Sequence, residues 1–198
     1  MKPVPRLFDD LTALNMFFKP DVPPWRFVRG KNIFVVRYGF GDGSKSGFGS
    51  TIMKADGITY RYGIWANDGR KASSNFRELE NLAQALESEA VVGELEGVEA
   101  FIFTDNSTAE AAYFKGSSSS KALCNIVLRL RLLELRNGMK IHFIHIAGTR
   151  MIHQGTDRLS RGDVSEGVMT GDSMLSFVPL HLSALQHSHI ISRPGRLV

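Results

Sequence analysis

Apolar and polar residues alternate along Phe34, Val36, Tyr38 and Phe40, and the alternation stops at Asp42. That is the pattern of a strand running into a turn. Residues 48 to 54 form a second such run, and Ile58 to Ala66 a third, with Tyr60, Tyr62 and Ile64 in alternation. Gly43 to Gly47, Ala55-Asp56-Gly57 and Asn67-Asp68-Gly69 supply turn chemistry between and after them, so an antiparallel meander is predicted. The period then changes. Phe76, Leu79, Leu82, Ala83 and Leu86 recur at helical spacing after Ser73 or Ser74, either of which can cap a first turn. Val98 to Thr104 is a fourth strand, and Thr108 to Lys115 a short helix. Lys121 to Asn137 is a longer helix whose buried stripe is Leu123, Ile126, Val127, Leu130 and Leu133, and Asn137-Gly138 ends it. Lys140 to Ala147 is a fifth strand, Gly148-Thr149-Arg150 a turn, and Gly155 to Arg161 a final short helix.

The ends of the chain carry weaker patterns. Residues 1–32 make an entry or connection segment: Leu7, Leu11, Leu14 and Phe17-Phe18 suggest an amphipathic helix docked by its aromatics, broken by Pro20, Pro23 and Pro24. Residues 33–161 hold the predicted domain. Periodicity fades in residues 162–198, an extension to which the sequence assigns no role.

Composition narrows the class. Hydrophobic residues make up 43% and charged residues 22% of the 198, as in a globular protein. One cysteine, Cys124, excludes an internal disulfide and a multi-cysteine zinc site, and its apolar helical setting predicts a core thiol. No stretch approaches the roughly 18 apolar residues of a membrane span, and Met1-Lys2-Pro3 does not open a signal peptide. The expectation is an intracellular protein, cytoplasmic or nuclear, with no membrane partner. Net charge is +4 but unevenly spread. From Asn75 to Glu110 there are nine acidic residues against Arg77 alone; from Lys115 to Arg161 there are nine basic residues against Glu134 and Asp157. A polyanion would be drawn to the second half while acids in the first could hold cations, although charge runs are more often solvated faces.

Four acids mark the junctions between elements. Asp42 lies in Gly39-Phe40-Gly41-Asp42-Gly43-Ser44-Lys45-Ser46-Gly47-Phe48-Gly49-Ser50, which on its own is an ordinary glycine-rich hairpin. Glu78 sits in the first turn of the helix that follows the meander, where capping or dipole chemistry would equally explain it. Asp105 ends the fourth strand and Asp157 opens the last helix. A sheet ordered 3-2-1-4-5 would bring Asp42 and Asp105 side by side, with Glu78 reaching over from the helix. Clustered carboxylates repel unless cations neutralise them. An oxygen-rich set of this kind suits Mg²⁺ or Mn²⁺, and two such ions about 4 Å apart are a standard device for phosphodiester hydrolysis.

These residues resemble the type 1 ribonuclease H domain, in particular the one that follows reverse transcriptase in retrotransposons. Asp42-Gly43-Ser44 with Gly47-Phe48-Gly49 resembles the family's first-strand motif. Ser74-Asn75-Phe76-Arg77-Glu78-Leu79 is similar to its helix motif, and Phe103-Thr104-Asp105-Asn106-Ser107 to its fourth-strand motif. His145-Ile146-Ala147-Gly148 with Thr156-Asp157-Arg158-Leu159-Ser160-Arg161 resembles the closing motif of retroelement forms. Gly148-Thr149-Arg150-Met151-Ile152 through Gly155-Thr156-Asp157 looks most like DIRS-type, tyrosine-recombinase-encoding elements.

The resemblance implies an α/β (mixed α+β) fold with a five-stranded sheet in order 3-2-1-4-5 flanked by helices, and a two-metal endoribonuclease that cuts the RNA strand of RNA–DNA hybrids. Asp42, Glu78, Asp105 and Asp157 would hold two Mg²⁺ ions, with Mn²⁺ able to substitute. Gly43, Ser44, Ser74, Asn75, Asn106 and Ser107 would contact the RNA, where the 2′-hydroxyl distinguishes it from DNA. Lys121, Arg129, Arg131 and Arg136 are candidates for phosphate contacts, a solvated helix face being the plain alternative. A reverse transcriptase domain is an implied partner. The loop histidine of cellular members is absent, since its position falls at or near Ala147; His145 lies too early, and His153 is the substitute if the loop folds back. A catalytically inactive ribonuclease H-like binding or scaffold module is the alternative function, and an integrase- or transposase-like nuclease, which typically uses three acids, a third reading.

Overall fold

A computed structural model of the chain describes residues 7–22, 30, 35–54 and 57–163. Helix α1 (Leu7–Phe17) precedes the antiparallel strands β1 (Val36–Gly43), β2 (Gly47–Lys54) and β3 (Gly57–Ile64). Ile33, Phe34, Ala55 and Asp56, expected in the first strand and second turn, lie outside the described residues, as do residues 164–198 with His181, His187 and His189.

Two short helices stand where turns are expected. Asn67-Asp68-Gly69 opens α2 (Asn67–Lys71), which neither apolar periodicity nor a side-chain cap announces. Gly148-Thr149-Arg150 likewise begins α6 (Gly148–Gln154), whose N-cap residue, Ala147, has no capping side chain. Between them come α3 (Ser74–Val91), β4 (Glu99–Thr104), α4 (Ser107–Lys115), α5 (Lys121–Asn137) and β5 (Lys140–His145), all close to the predicted bounds. Ser73 caps α3, its hydroxyl accepting from the Phe76 N–H at 3.2 Å. Gly155, at φ 102°, ends α6 and starts α7 (Thr156–Ser160), a left-handed backbone that glycine adopts without penalty.

The sheet order is β3-β2-β1-β4-β5, with β4 parallel to both its neighbours. This is the predicted topology. Leu79, Leu82 and Leu86 of α3 and Ile126 and Leu130 of α5 cover one face over Ile52, Ala100 and Ile102. Burying such side chains contributes about 1.5–3 kcal/mol each, so this face anchors the fold. The opposite face holds a smaller cluster of Tyr38, Phe40, Met53, Phe103, Ile146 and Met151. There α7 packs on β2 and β1.

Two expectations about packing fail. α1 forms but buries none of its residues, with Phe8 79% exposed, and Phe18 just beyond its end is 81% exposed. Polar contacts hold this segment instead, Asp9 to Lys121 at 2.7 Å and Asp21 to Arg136 at 2.9 Å, with Val22 buried. Cys124 is only partly buried, because its thiol is bonded at 3.1 Å to both the N–H and the carbonyl of Ser118, tying the serine loop to α5.

Candidate metal centre

The parallel pairing of β1 with β4 sets Phe40 opposite Phe103, their rings stacked 4.7 Å apart. Two residues further along each chain come Asp42 and Asp105. Because strand side chains alternate between faces, both carboxyls continue the α7 side of the sheet at its end. Glu78 arrives from α3. Its approach depends on Gly43: a Cβ there would lie 2.9 Å from the Arg77 carbonyl carbon and the Glu78 nitrogen. Oxygen atoms of Asp42, Glu78 and Asp105 lie within 4.8 Å of one another.

Little else neutralises them. The Glu78 carboxyl is 9% exposed and its Oε2 has no hydrogen-bond partner. Burial first, and then the charges of Asp105 and Asp42, push its pKa up to about 8, against a smaller opposing effect of an Asn106 hydrogen bond. Asp42 is also raised, chiefly by burial, although the Ser160 hydroxyl donates to its Oδ2 and pulls the other way. An all-oxygen, anionic and under-satisfied set is the environment a hard divalent cation would complete, so the residues fit Mg²⁺ or Mn²⁺.

Asp157 does not join the three. Arg161 holds its carboxylate, Nη2 to Oδ1 at 2.7 Å and Nε to Oδ2 at 3.1 Å. Gly148 abuts the cluster on another side, where a Cβ would sit 3.0 Å from Asp105 Oδ2. His145 is exposed, with a ring nitrogen 3.1 Å from the Asp105 carbonyl. His153 lies within α6, but its side chain is outside the described residues.

The expected substrate-contact residues divide. Asn106 caps α4 through the Ala109 N–H at 2.9 Å, donates to Asn75 Oδ1 at 2.9 Å and hydrogen-bonds Glu78, so it links the Asn75 amide to the cluster. Ser74 and Ser107 are exposed at the starts of α3 and α4. Ser44 faces the protein: its hydroxyl lies 2.9 Å from the Gly47 N–H and 2.9 Å from the Ser160 carbonyl. The glycines of this stretch serve close approach within the protein, since Gly43 admits α3 and a Cβ at Gly49 would lie 2.6 Å from the Ser160 nitrogen. Ser160 and Asn81 were not legible as site residues. Asn81 is fully buried, and its amide donates to the Asp42 and Gly49 carbonyls at 3.1 and 2.8 Å. A polar residue on the apolar face of a predicted helix is the one available signal.

The candidate phosphate-binding bases are engaged internally. Lys121 pairs with Asp9, Arg129 with Glu80 and Glu87 at 2.6 Å each, Arg131 with Glu134 at 2.8 Å, and Arg136 with Asp21. Lys45, Arg70, Lys71 and Arg77 differ: among the described residues none has a carboxylate partner. Lys45 sits in the β1–β2 turn, Arg70 and Lys71 at the end of α2 and Arg77 in the first turn of α3. Trp65 bonds the Ser44 and Ser46 carbonyls around Lys45, Arg70 Nε donates to the Trp65 carbonyl at 3.1 Å, and Arg77 precedes Glu78.

No family model and no curated protein matches the chain. Among solved structures it is similar to ribonuclease H1 from the halophilic archaeon Halobacterium salinarum NRC-1, at 20% identity over 64% of this chain and 94% of that one, with TM-score 0.46. It is also similar to LC11-RNase H1, isolated from compost by a metagenomic approach, in complex with an RNA/DNA hybrid, at 19% identity over 65% and 94% with TM-score 0.47. A third is the foamy viral protease-reverse transcriptase with RNA/DNA hybrid, at 11% identity over 70% of this chain and 21% of that one, with TM-score 0.45.

Proposed function

We propose that the protein is a metal-dependent endoribonuclease that cleaves the RNA strand of RNA–DNA hybrids. The observation that carries this reading is the convergence of Asp42, Glu78 and Asp105, from adjacent parallel strands and a crossing helix, on a point where Glu78 Oε2 has no hydrogen-bond partner. Asp42, Glu78 and Asp105 would hold one Mg²⁺ or Mn²⁺, and Asp157 would contribute to a second. Bound there, divalent cations supply an activated water and neutralise charge developing on the phosphodiester.

The chain's own residues do the positioning. Asn81 fixes the backbone of Asp42 and Ser160 fixes its carboxyl. Glu78 keeps its proton near neutrality in the metal-free protein and releases it when a cation is bound, so cation affinity rises with pH. The Asn75 and Asn106 amides, mutually bonded and linked to Glu78 through Asn106, present donors and acceptors suited to an RNA 2′-hydroxyl. Lys45, Arg70, Lys71 and Arg77, with no carboxylate partner among the described residues, offer a polyanion positive charge around the β1–β2 turn and the start of α3. The motif resemblance supports an origin in, or a place within, a retrotransposon reverse transcriptase, DIRS-type elements being the finer assignment and a polymerase domain the partner.

A strand-labelled hybrid tests the reading. With Mg²⁺ or Mn²⁺ the RNA strand is cut, while single-stranded RNA and duplex DNA are left largely intact. No cutting at millimolar Mn²⁺ would overturn it, and retained hybrid affinity in that case would identify an inactive binding module.

A further inference from the structure

The fourth acid already has a cation. Asp157 and Arg161 are separated by one helical turn, so the guanidinium folds back and engages both carboxylate oxygens, at 2.7 and 3.1 Å. The pair borders the cluster. Ser160, next to Arg161 in the chain, donates its hydroxyl to Asp42. Asp42 experiences Asp157 as a like charge and Arg161 as an opposite one. The α7 side of the centre therefore differs from the α3 side, where Glu78 Oε2 has no partner.

We propose that Arg161 is a built-in counter-charge that guards the fourth carboxylate, so that a second divalent cation reaches Asp157 only by displacing its guanidinium, while the first, at Asp42, Glu78 and Asp105, displaces no side-chain cation. This rests on reading the cluster as a cation site but not on the identity of the nucleic acid. The exchange is feasible because the Arg161 side chain is 65% exposed and is rehydrated when it leaves, and a pair at such a surface is weak. Arg161 is thus a positioning residue, acting through Asp157.

Manganese binding to the metal-free full chain, followed by calorimetry and by electron paramagnetic resonance of free Mn²⁺, tests this. The wild type should show one tight and one weak class. Arg161→Gln should tighten the weak class by about five- to tenfold and leave the tight class within about twofold. Arg161→Lys, which keeps the charge without the two-pronged contact, should fall between, and Asp157→Asn should remove the weak class alone. A weak class indifferent to Arg161→Gln, or one that survives Asp157→Asn, overturns the proposal. Absence of any Mn²⁺ binding overturns both this proposal and the cation-site reading. The expected Arg161 effect in a protein that does not cut hybrids upholds it and defeats only the assigned substrate.

Discussion

Glu78 and Glu134 are both buried glutamates within one small domain, and their surroundings push them in opposite directions. Burial favours the neutral form of each. At Glu134 the fold more than compensates: its carboxylate accepts from the Ile141 N–H at 2.9 Å, the Tyr113 hydroxyl at 2.7 Å and Arg131 at 2.8 Å, with Lys140 3.4 Å away, and its pKa ends below the ordinary value. At Glu78 the fold compensates hardly at all, adds two more acids, and leaves the pKa at about 8. One carboxylate is a structural joint between α4, α5 and β5. The other is a carboxyl with one oxygen left unpartnered beside two more acids, an arrangement that a cation would complete.

Removing the joint should have the largest effect on stability. Glu134→Ala takes a buried carboxylate acceptor from Arg131, Tyr113 and the Ile141 N–H at once and should cost about 3–5 kcal/mol in urea unfolding. A loss below about 1 kcal/mol would break the contrast. Removing Glu78 should do the reverse. Its folded pKa is raised, so the stability it contributes is fully present below its ordinary value of 4.5 and has gone once pH passes about 8. In chelator at pH 9, Glu78→Gln should therefore be more stable than the wild type by about 1–3 kcal/mol, a gain that shrinks at pH 5 and when Mn²⁺ is added to the wild type. A wild type whose metal-free melting temperature rises from pH 6 to pH 9 would contradict this. Glu134 sets the opposite window: its folded pKa is depressed, so its contribution is present above the ordinary value of 4.5 and lost as pH falls through the lower folded value. Asp157→Asn should be the mildest change, altering stability by less than about 1 kcal/mol because its partner Arg161 is largely exposed.

What the sequence disclosed follows from how local each signal is. Alternation in Tyr38 and Phe40 and the leucine spacing of Leu79, Leu82 and Leu86 are short-range, and they gave the strands and the long helices, whereas the sheet order came from the motif resemblance. α2 and α6 are too short to show a period and have no side-chain cap, so both looked like turns. The meeting of Asp42, Glu78 and Asp105 was legible because each acid ends or begins an element and the resemblance implied a sheet order that brings those ends together. The state of Asp157 was not, since an arginine four residues on looks the same whether it pairs or points away. Nor were the partners of the bases: Arg129 meets Glu87 across 42 residues of chain, and Ser160 meets Asp42 across 118. Nor was the role of Gly43 and Gly49, which make room for α3 and α7, because a hairpin turn and a close approach of backbones leave the same residue in the sequence.

The central claim is that three uncompensated acids hold the cation that does the chemistry. Asp105→Asn preserves size and hydrogen-bonding capacity while removing one negative charge from that set. Initial rates on an RNA-strand-labelled hybrid in Mg²⁺ should fall by about 10³-fold or more relative to the wild type. Equal rates for the two proteins would contradict the account.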